Sequence, residues 1–161
     1  MKINLKKFIL IIIKIIIIII IIQLHWKKNG ENIIEVIWDK KLNNCSDMFM
    51  DCSSVVSIDL SNFDTSNVDD MRRMFTDCSS LKSLNLSNFD TSNANYMNGI
   101  FYGCSSLESL DLSNFNTSNV KNMYRMFAGC SSLKSLNLSN FDTSNVKDMY
   151  GMFYNCSSLF L

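Results

Sequence analysis

The sequence predicts an α/β solenoid, a coil of short strands and helical turns in which one unit of 26 residues recurs. The stretch Cys78–Gly103 returns almost unchanged at Cys104–Gly129 and at Cys130–Asn155, and a diverged copy precedes it at Cys52–Asp77. Apolar residues also recur at fixed places within each copy. Self-similarity at a fixed period of 20–50 residues is typical of solenoids and arrays. The repeats therefore predict the architecture before any other feature is considered.

The first half of each repeat predicts a short strand. In the copy that begins at Cys78, the residues Leu81, Leu84, Leu86 and Phe89 form the pattern L-x-x-L-x-L-x-x-F. This pattern is the strand segment of a leucine-rich repeat. We expect Ser83–Leu86 and its equivalents to stack about 4.8 Å apart as a parallel sheet. The predicted fold is thus a leucine-rich-repeat right-handed coil with a short parallel β-sheet on one face.

The second half of each repeat predicts a turn followed by short helical turns on the other face. Residues 91–93, Thr-Ser-Asn, are typical of a turn. The apolar spacing 94, 97 and 101 then changes to that of a helix, with Ser92 or Asn93 as the N-cap. Each repeat forms one rung of the coil and has about eight apolar side chains that the neighbouring rungs must cover. Burial of each such side chain stabilises the fold by about 1.5–3 kcal/mol.

Two columns of equivalent residues could carry ligands, but simpler roles are favoured. The first column contains one cysteine from each repeat: Cys52, Cys78, Cys104, Cys130 and Cys156. Equivalent residues of stacked repeats have parallel Cα–Cβ bonds, so these cysteines are expected to be buried free thiols rather than disulfides. The sequence contains no C-x-x-C pair, which is the spacing typical of a zinc site. The column Asp64, Asp90, Asn116 and Asp142 could offer oxygen ligands to Ca²⁺. Capping of each turn by its own side chain is favoured, because Asn116 interrupts the charge. No cofactor and no metal is predicted.

An apolar segment precedes the repeats. Phe8–Ile22 contains fourteen apolar residues out of fifteen, and Lys14 is the interruption. Twelve isoleucines outweigh one lysine on insertion scales, so this segment is predicted to be a transmembrane or signal helix. An uncleaved signal-anchor is favoured over a cleavable signal peptide, because no A-x-A-like site follows. The chain then divides into a signal-anchor or signal segment at 1–28, a connector with an N-terminal capping helix at 29–51, and four repeats plus a truncated fifth at 52–161.

The connector predicts a helix that caps the first rung. A turn at Asn29-Gly30 precedes a series of apolar residues at three- and four-residue steps. The series consists of Ile33, Ile34, Ile37, Trp38, Leu42, Cys45, Met48 and Phe49. A membrane-surface helix is the alternative. At the other end, residues 157–161 lie inside the next predicted strand, which indicates a truncated copy or a rung covered by another chain.

Charge and composition exclude several classes of function. Residues 1–41 carry eight lysines and three acids, whereas residues 42–161 carry seven basic and twelve acidic residues. The acidic repeats argue against nucleic acid as a partner. The higher positive charge before the apolar run places the repeats outside the cytoplasm, at the cell membrane or cell surface. The single histidine, His25, leaves no material for a catalytic triad, so no enzymatic activity is predicted.

The exposed strand positions are the candidate ligand-binding residues on the concave face. They are Ser57, Asp59, Lys82, Ser83, Asn85, Glu108, Ser109, Asp111, Lys134, Ser135 and Asn137. Lys82, Glu108 and Lys134 alternate in sign, which predicts pairing between neighbouring rungs. Five tyrosines are expected on the convex face, where half-buried packing is favoured over partner contact. These are Tyr96, Tyr102, Tyr124, Tyr150 and Tyr154.

The repeat unit resembles that of a known family. The pattern M-F-x-x-C-S-S-L-x-S-L-x-L-S-N-F-x-T-S-N-V-x-x-M is similar to the leucine-rich repeat of BspA-like bacterial surface proteins. It is clearest at Met126–Leu133 and Asn140–Val146, and the resemblance covers residues 42–161. The resemblance implies a surface-exposed or lipid-anchored protein and, in some members, adhesion to host matrix proteins. It implies no catalytic residues.

Together these features predict a non-enzymatic, membrane-tethered surface protein. We expect its concave sheet face to bind a protein or glycan ligand in an adhesion-like role. One alternative is a structural surface protein that self-associates through its C-terminal rung. Another is a truncated copy without function.

Overall fold

The computed structural model describes residues 42–160 and the backbone of residues 33–35. Its strands are β1 (Ile33–Glu35), β2 (Ser57–Asp59) and β3 (Ser83–Asn85). They form one parallel sheet in the order β1-β2-β3. Ser57 pairs with Ser83 and Asp59 pairs with Asn85, so equivalent residues of two neighbouring repeats lie side by side.

Strand β1 lies in the connector, where the apolar periodicity predicted a capping helix. Its backbone pairs with β2 in parallel register, and residues 44–51 form a bridge and turns rather than a helix. A strand at this position pairs with the edge of β2, which a helix would leave without main-chain partners. Three- and four-residue apolar spacing therefore arose here from successive turns of a rung. The rest of the connector lies outside the described residues.

The second half of each repeat forms tight turns in place of the predicted helical turns, and the described residues contain no α-helix. Alternate amide groups donate to carbonyls of the next repeat. The amides of Met97, Gly99, Phe101 and Gly103 reach the carbonyls of Asn122, Tyr124, Met126 and Ala128 at 2.8–3.1 Å. An α-helix would need these amides for bonds within its own turn. Stacking on the next repeat has replaced helix formation.

Residues in the left-handed backbone conformation occur at two positions of these turns in each repeat. Their φ angles lie between 51° and 78°. One column consists of Asp47, Arg73, Gly99, Arg125 and Gly151, and the other of Asp51, Asp77, Gly103, Gly129 and Asn155. A right-handed helix cannot pass through such residues. Their regular recurrence is the local reason that the chain turns instead of continuing as a helix.

The core between the two halves contains two columns of phenylalanine. Phe49, Phe75, Phe101, Phe127 and Phe153 stack with neighbouring ring centroids 5.5–5.7 Å apart. Phe63, Phe89, Phe115 and Phe141 form a second column with centroids 6.0–6.5 Å apart. Buried leucine, methionine and cysteine side chains complete one continuous apolar cluster. Each repeat is thus packed chiefly against equivalent residues of its neighbours.

The polar motif between the two halves also bonds one repeat to the next. The buried hydroxyls of Thr65, Thr91 and Thr117 donate to main-chain carbonyls of the following repeat at 2.8–2.9 Å. The side-chain amides of Asn93, Asn119 and Asn145 donate to serine carbonyls of the preceding repeat at 2.6–2.8 Å. The Thr-Ser-Asn segment that predicted a turn therefore also holds the stack together.

Two sequence-based interpretations extend beyond these observations. The assignment of the whole chain as a right-handed leucine-rich-repeat coil stays a prediction. The predicted transmembrane or signal segment, Phe8–Ile22, lies outside the described residues. In the part of the chain that the structure describes, no helix has the length and apolar character needed to cross a bilayer.

Candidate binding site on the turn face

Two outward surfaces carry columns of equivalent side chains. We call the eleven residues predicted as ligand contacts the strand face. We call the outward side chains of residues 44–51, 70–77, 96–103, 122–129 and 148–155 the turn face. The two surfaces differ in what their side chains contact.

The structure exposes most of the strand face. Ser57 and Asp59 are half-buried, whereas the other nine predicted residues are exposed. Strands β2 and β3 bring Ser57 beside Ser83 and Asp59 beside Asn85. The predicted residues of the last two repeats follow outside the three strands.

One column of the strand face has a structural role that the sequence interpretation missed. The side-chain oxygens of Asp59, Asn85, Asp111 and Asn137 accept the amide N–H two residues ahead at 2.9–3.1 Å. Such local bonds form a turn directly after the strand position. Hydrogen bonds from the amide and side chain of Ser113 hold the pKa of Asp111 below its ordinary value. These groups are engaged by their own backbone, which reduces what they offer to a partner.

The predicted charge pairing on the strand face is observed at one pair. The ammonium nitrogen of Lys134 lies 2.5 Å from a carboxylate oxygen of Glu108, and both side chains are exposed. This hydrogen bond, together with the charges of Lys134 and Lys82, lowers the pKa of Glu108. Exposed ion pairs of this kind contribute little to stability.

A cavity of about 330 Å³ opens on the turn face over Gly99, and we call it the Gly99 groove. Three successive repeats line it with Arg73, Thr76, Asn98, Gly99, Tyr102, Tyr124 and Arg125. Gly99 lies between Arg73 and Arg125 in one column of left-handed residues. Because glycine has no side chain, the column contains a gap between two arginines.

The floor of the groove is fixed by packing and by one hydrogen bond. Gly99 has a φ of 64°, and a Cβ added there would lie 3.4 Å from Cγ of Arg73. The hydroxyl of Thr76 donates to the carbonyl of Gly99 at 2.7 Å, and Thr76 is buried. The floor is therefore held in place independently of any ligand.

The two arginines that line the groove have different partners. Nε and Nη2 of Arg73 lie 2.8 and 2.9 Å from the two carboxylate oxygens of Asp47. The guanidinium of Arg125 lies over the ring of Tyr124, 5.1 Å from its centroid. Among the described residues, Nε of Arg125 has no hydrogen-bond partner although it is shielded from solvent. The groove therefore holds one guanidinium whose charge no described carboxylate balances.

The predicted tyrosine cluster lies on the turn face. Tyr96, Tyr150 and Tyr154 are 41%, 73% and 70% exposed, and Tyr124 stacks on Tyr150 with centroids 6.1 Å apart. Sequence reasoning located the tyrosines but favoured packing for them, and it missed Arg73, Gly99 and Arg125. The Arg-Gly-Arg-Gly series at 73, 99, 125 and 151 was the available signal, since it is visible once the repeats are aligned.

The cysteine column supplies buried thiols. Sγ of Cys78, Cys104 and Cys130 donates to a phenylalanine carbonyl of the preceding repeat at 3.1–3.2 Å. Burial raises the pKa of the Cys78 and Cys130 thiols to about 12. A thiol with so high a pKa is not a nucleophile near neutral pH. Cys78, Cys104 and Cys130 thus act as small buried groups, as predicted, while the column's end members, Cys52 and Cys156, are half-buried.

The aspartate column caps turns. Side-chain oxygens of Asp64, Asp90, Asn116 and Asp142 accept the amide N–H two residues ahead at 2.8–3.0 Å. The favoured interpretation of this column is confirmed. Within residues 42–160, no group of three or more histidine, cysteine or acidic side chains is placed to hold a metal ion.

Comparison with known proteins gives a match to a family model. No curated protein and no solved structure matches the chain. A family model described as a Mycoplasma protein of unknown function, DUF285, matches residues 32–160. The matched range contains the strands, the turns and the Gly99 groove. The chain therefore belongs to the DUF285 family.

Proposed function

We propose that the repeats form a non-enzymatic binding module of a surface protein, which contacts a protein or glycan ligand through the turn face. The observation that carries this proposal is the Gly99 groove, where tyrosine and arginine side chains from three repeats converge. Tyrosine and arginine are enriched among the residues that dominate binding energy. The sequence-based hypothesis placed this contact on the strand face. We prefer the turn face because tyrosine and arginine side chains line a groove there, and the strand-face candidates include neither residue type.

The chemistry of the described residues supports a binding role over catalysis. The cysteine thiols of the core are buried, with pKa values raised by burial. The aspartates of two columns cap turns, and Asp47 and Asp70 pair with arginines. These groups are committed to structure, which leaves arginine, tyrosine and amide side chains for recognition.

The cellular setting is part of the same proposal. We place the repeats outside the cytoplasm, tethered through Phe8–Ile22, and assign the chain to the BspA-like group, whose repeat pattern it resembles. Protease treatment of intact cells tests the placement. Digestion of the repeats from outside, with a membrane-retained N-terminal stub, is the expected result. Protected repeats would remove adhesion from consideration.

A second candidate function is stacking of copies of the chain. Residues 149–160 expose four large apolar side chains, Met149, Tyr150, Tyr154 and Phe160. Exposed apolar patches often mark contact surfaces. Concentration-dependent dimerisation that Tyr154→Ser and Phe160→Ser together abolish would favour this function over ligand binding.

The main test compares the two faces in the full chain, purified in a neutral detergent. A turn-face variant carries Tyr102→Ser and Tyr124→Ser, and a matched strand-face variant carries Lys82→Ser and Lys134→Ser. Each is applied to a panel of matrix proteins and to a glycan array. We expect the turn-face variant to weaken binding at least about tenfold, equivalent to about 1.4 kcal/mol, and the strand-face variant to bind as the parent does.

Two results would overturn the proposal. One is the absence of binding to every matrix protein and glycan. The other is loss of binding in the strand-face variant alone. Urea unfolding of both variants shows whether a loss of binding follows from a loss of folding.

A further inference from the structure

We propose that the Gly99 groove binds an oxyanion, a carboxylate, sulfate or phosphate group, through the guanidinium of Arg125. This inference rests on the proposed function, because it names the ligand chemistry of the same surface. Three observations carry it: the partners of the three arginines, the glycines that flank Arg125, and the shielded Nε of that residue.

The three arginines of the sequence form an internal comparison. Arg72 makes hydrogen bonds through Nε and Nη2 to the carboxylate of Asp70. Arg73 contacts both carboxylate oxygens of Asp47. Arg125 has no carboxylate partner among the described residues. On one face of one protein, two guanidinium groups are thus matched by an oxyanion and the third is not.

The stacking of the repeats explains why Arg125 has no carboxylate partner in its column. The neighbour of Arg73 in the preceding repeat is Asp47, which supplies its partner. The neighbours of Arg125 are Gly99 on one side and Gly151 on the other. A Cβ added at Gly151 would lie 3.4 Å from Cγ of Arg125, so the arginine stem packs over that glycine. Neither neighbour has a side chain, and an oxyanion for Arg125 has to come from outside the column.

The guanidinium of Arg125 is only partly satisfied within the fold, because its shielded Nε has no hydrogen-bond partner among the described residues. A buried donor without an acceptor is destabilising relative to a satisfied one. The planar guanidinium donates through several N–H groups in a geometry that matches carboxylate and phosphate. An oxyanion in the groove would balance the charge of Arg125 and accept hydrogen bonds from its terminal N–H groups, which are not shielded as Nε is.

The surroundings favour a small acidic group over a long acidic segment. The Arg73–Asp47 pair is neutral overall, which leaves a single unbalanced positive charge at the groove. Its volume of about 330 Å³ lies at the lower end of the range for small-ligand sites. Tyr102 and Tyr124 line the same space and can pack against the body that carries the oxyanion. The site therefore suits one oxyanion group on a compact carrier.

Nuclear magnetic resonance of the arginine side chains tests the inference directly. Because the sequence has three arginines, the full chain in a neutral detergent should give three Nε–Hε signals. The chain is titrated separately with acetate, sulfate and phosphate, and sodium chloride serves as the ionic-strength control. We expect the Arg125 signal alone to shift and to saturate with a Kd on the order of 1 mM, while chloride leaves it unchanged.

Matched variants test the role of the guanidinium. The backbone amide of Gly99 reports binding in both Arg125→Lys and Arg72→Lys. Arg125→Lys keeps the charge but removes the planar group, and we expect at least about tenfold weaker binding. Arg72→Lys should bind as the parent does. A response to acetate alone identifies a carboxylate source, and a response to sulfate and phosphate alone identifies a tetrahedral one.

Opposite results would overturn the inference. They are an Arg125 signal that no oxyanion shifts, equal shifts of all three arginine signals, or unchanged affinity in Arg125→Lys. If one of these results is obtained but the turn-face variant still loses binding to a matrix protein or glycan, only the oxyanion inference fails and the proposed function stands. If Arg125 binds oxyanions but no matrix protein or glycan binds the chain, the proposed function fails alone.

Discussion

The strand face and the turn face are built from the same 26-residue unit but differ in the residue types that their columns hold. On the strand face, Asp59, Asn85 and their equivalents bond the backbone two residues ahead. On the turn face, backbone amides bond the next repeat directly. The local bond to the amide two residues ahead also occurs on the turn face, at Asn44, Asp70, Asn122 and Asp148. The left-handed column of the turn face, by contrast, holds aspartate, arginine and glycine.

This difference shows where a repeat protein can change its surface without losing its fold. The strand-face column alternates between aspartate and asparagine because either side chain accepts the turn hydrogen bond. The turn-face column tolerates substitution, provided that each residue adopts a left-handed conformation. Gly99 and Arg125 line a groove on a scaffold that is stacked through its main chain and its phenylalanine columns.

The largest expected difference between the faces comes from removing a ring beneath the turn face. Phe101 is fully buried between Phe75 and Phe127, with centroids 5.7 and 5.5 Å away. We expect Phe101→Ala to lower the free energy of unfolding by about 3–5 kcal/mol, because it leaves a cavity in the stack. Ser109→Ala on the strand face should change it by less than about 0.5 kcal/mol. Urea unfolding measures both, and similar losses would show that the stack is not the source of stability.

A thiol behind the turns should make stability depend on alkaline pH. Folding raises the pKa of Cys78 from 9.0 to about 12, chiefly through burial. Its contribution is therefore complete below pH 9 and is lost as the pH rises toward 12. In this window, Cys78→Ala should reduce the pH slope of the unfolding free energy by about 1.4 kcal/mol per pH unit. Unchanged slopes in urea unfolding would mean that Cys78 titrates alike in both states.

The left-handed positions of the turns should tolerate glycine and resist alanine. Gly103 has a φ of 71°, and a Cβ there would collide with the Asp77 carboxylate. We expect Gly103→Ala to lower the free energy of unfolding by about 1–2 kcal/mol. Asn155→Gly, in the same column at a φ of 60°, should change it by less than about 0.5 kcal/mol. Thermal unfolding compares them, and an equally stable Gly103→Ala would contradict the strained geometry.

The smallest expected effect is on the strand face. Lys134→Ala removes the ion pair with Glu108, and we expect no measurable change in unfolding because both side chains are exposed. The pKa of Glu108 should rise toward its ordinary value, since the hydrogen bond from Lys134 is the main cause of its depression. A titration followed by nuclear magnetic resonance measures this pKa. An unchanged value would show that the pair does not persist in solution.

Sequence patterns predicted parallel strands, which the repeats have at β2 and β3, and turn-capping aspartates. Where a connector helix and helical turns were expected, the described residues form a strand and tight turns. Strand β1 and the turns of residues 44–51 occupy the described part of the connector. The error has a physical source: apolar residues every three or four positions mark a buried face, and both a helix and a series of tight turns present one. Only the left-handed residues separate the two. Arg73 gives no sign of that conformation in the sequence, whereas the column of Asp77 contains only aspartate, glycine and asparagine, which favour it.

The sequence by itself determined the period, the register and the columns of this protein, because a one-dimensional repeat places equivalent residues in contact whatever the path of the chain. The tertiary structure decided which side chains of neighbouring repeats contact each other on the turn face. It placed Gly99 between Arg73 and Arg125, gave Arg73 a carboxylate partner and gave Arg125 none. Contacts across the stack depend on side-chain direction and on gaps left by neighbours, and those are properties of the folded chain alone.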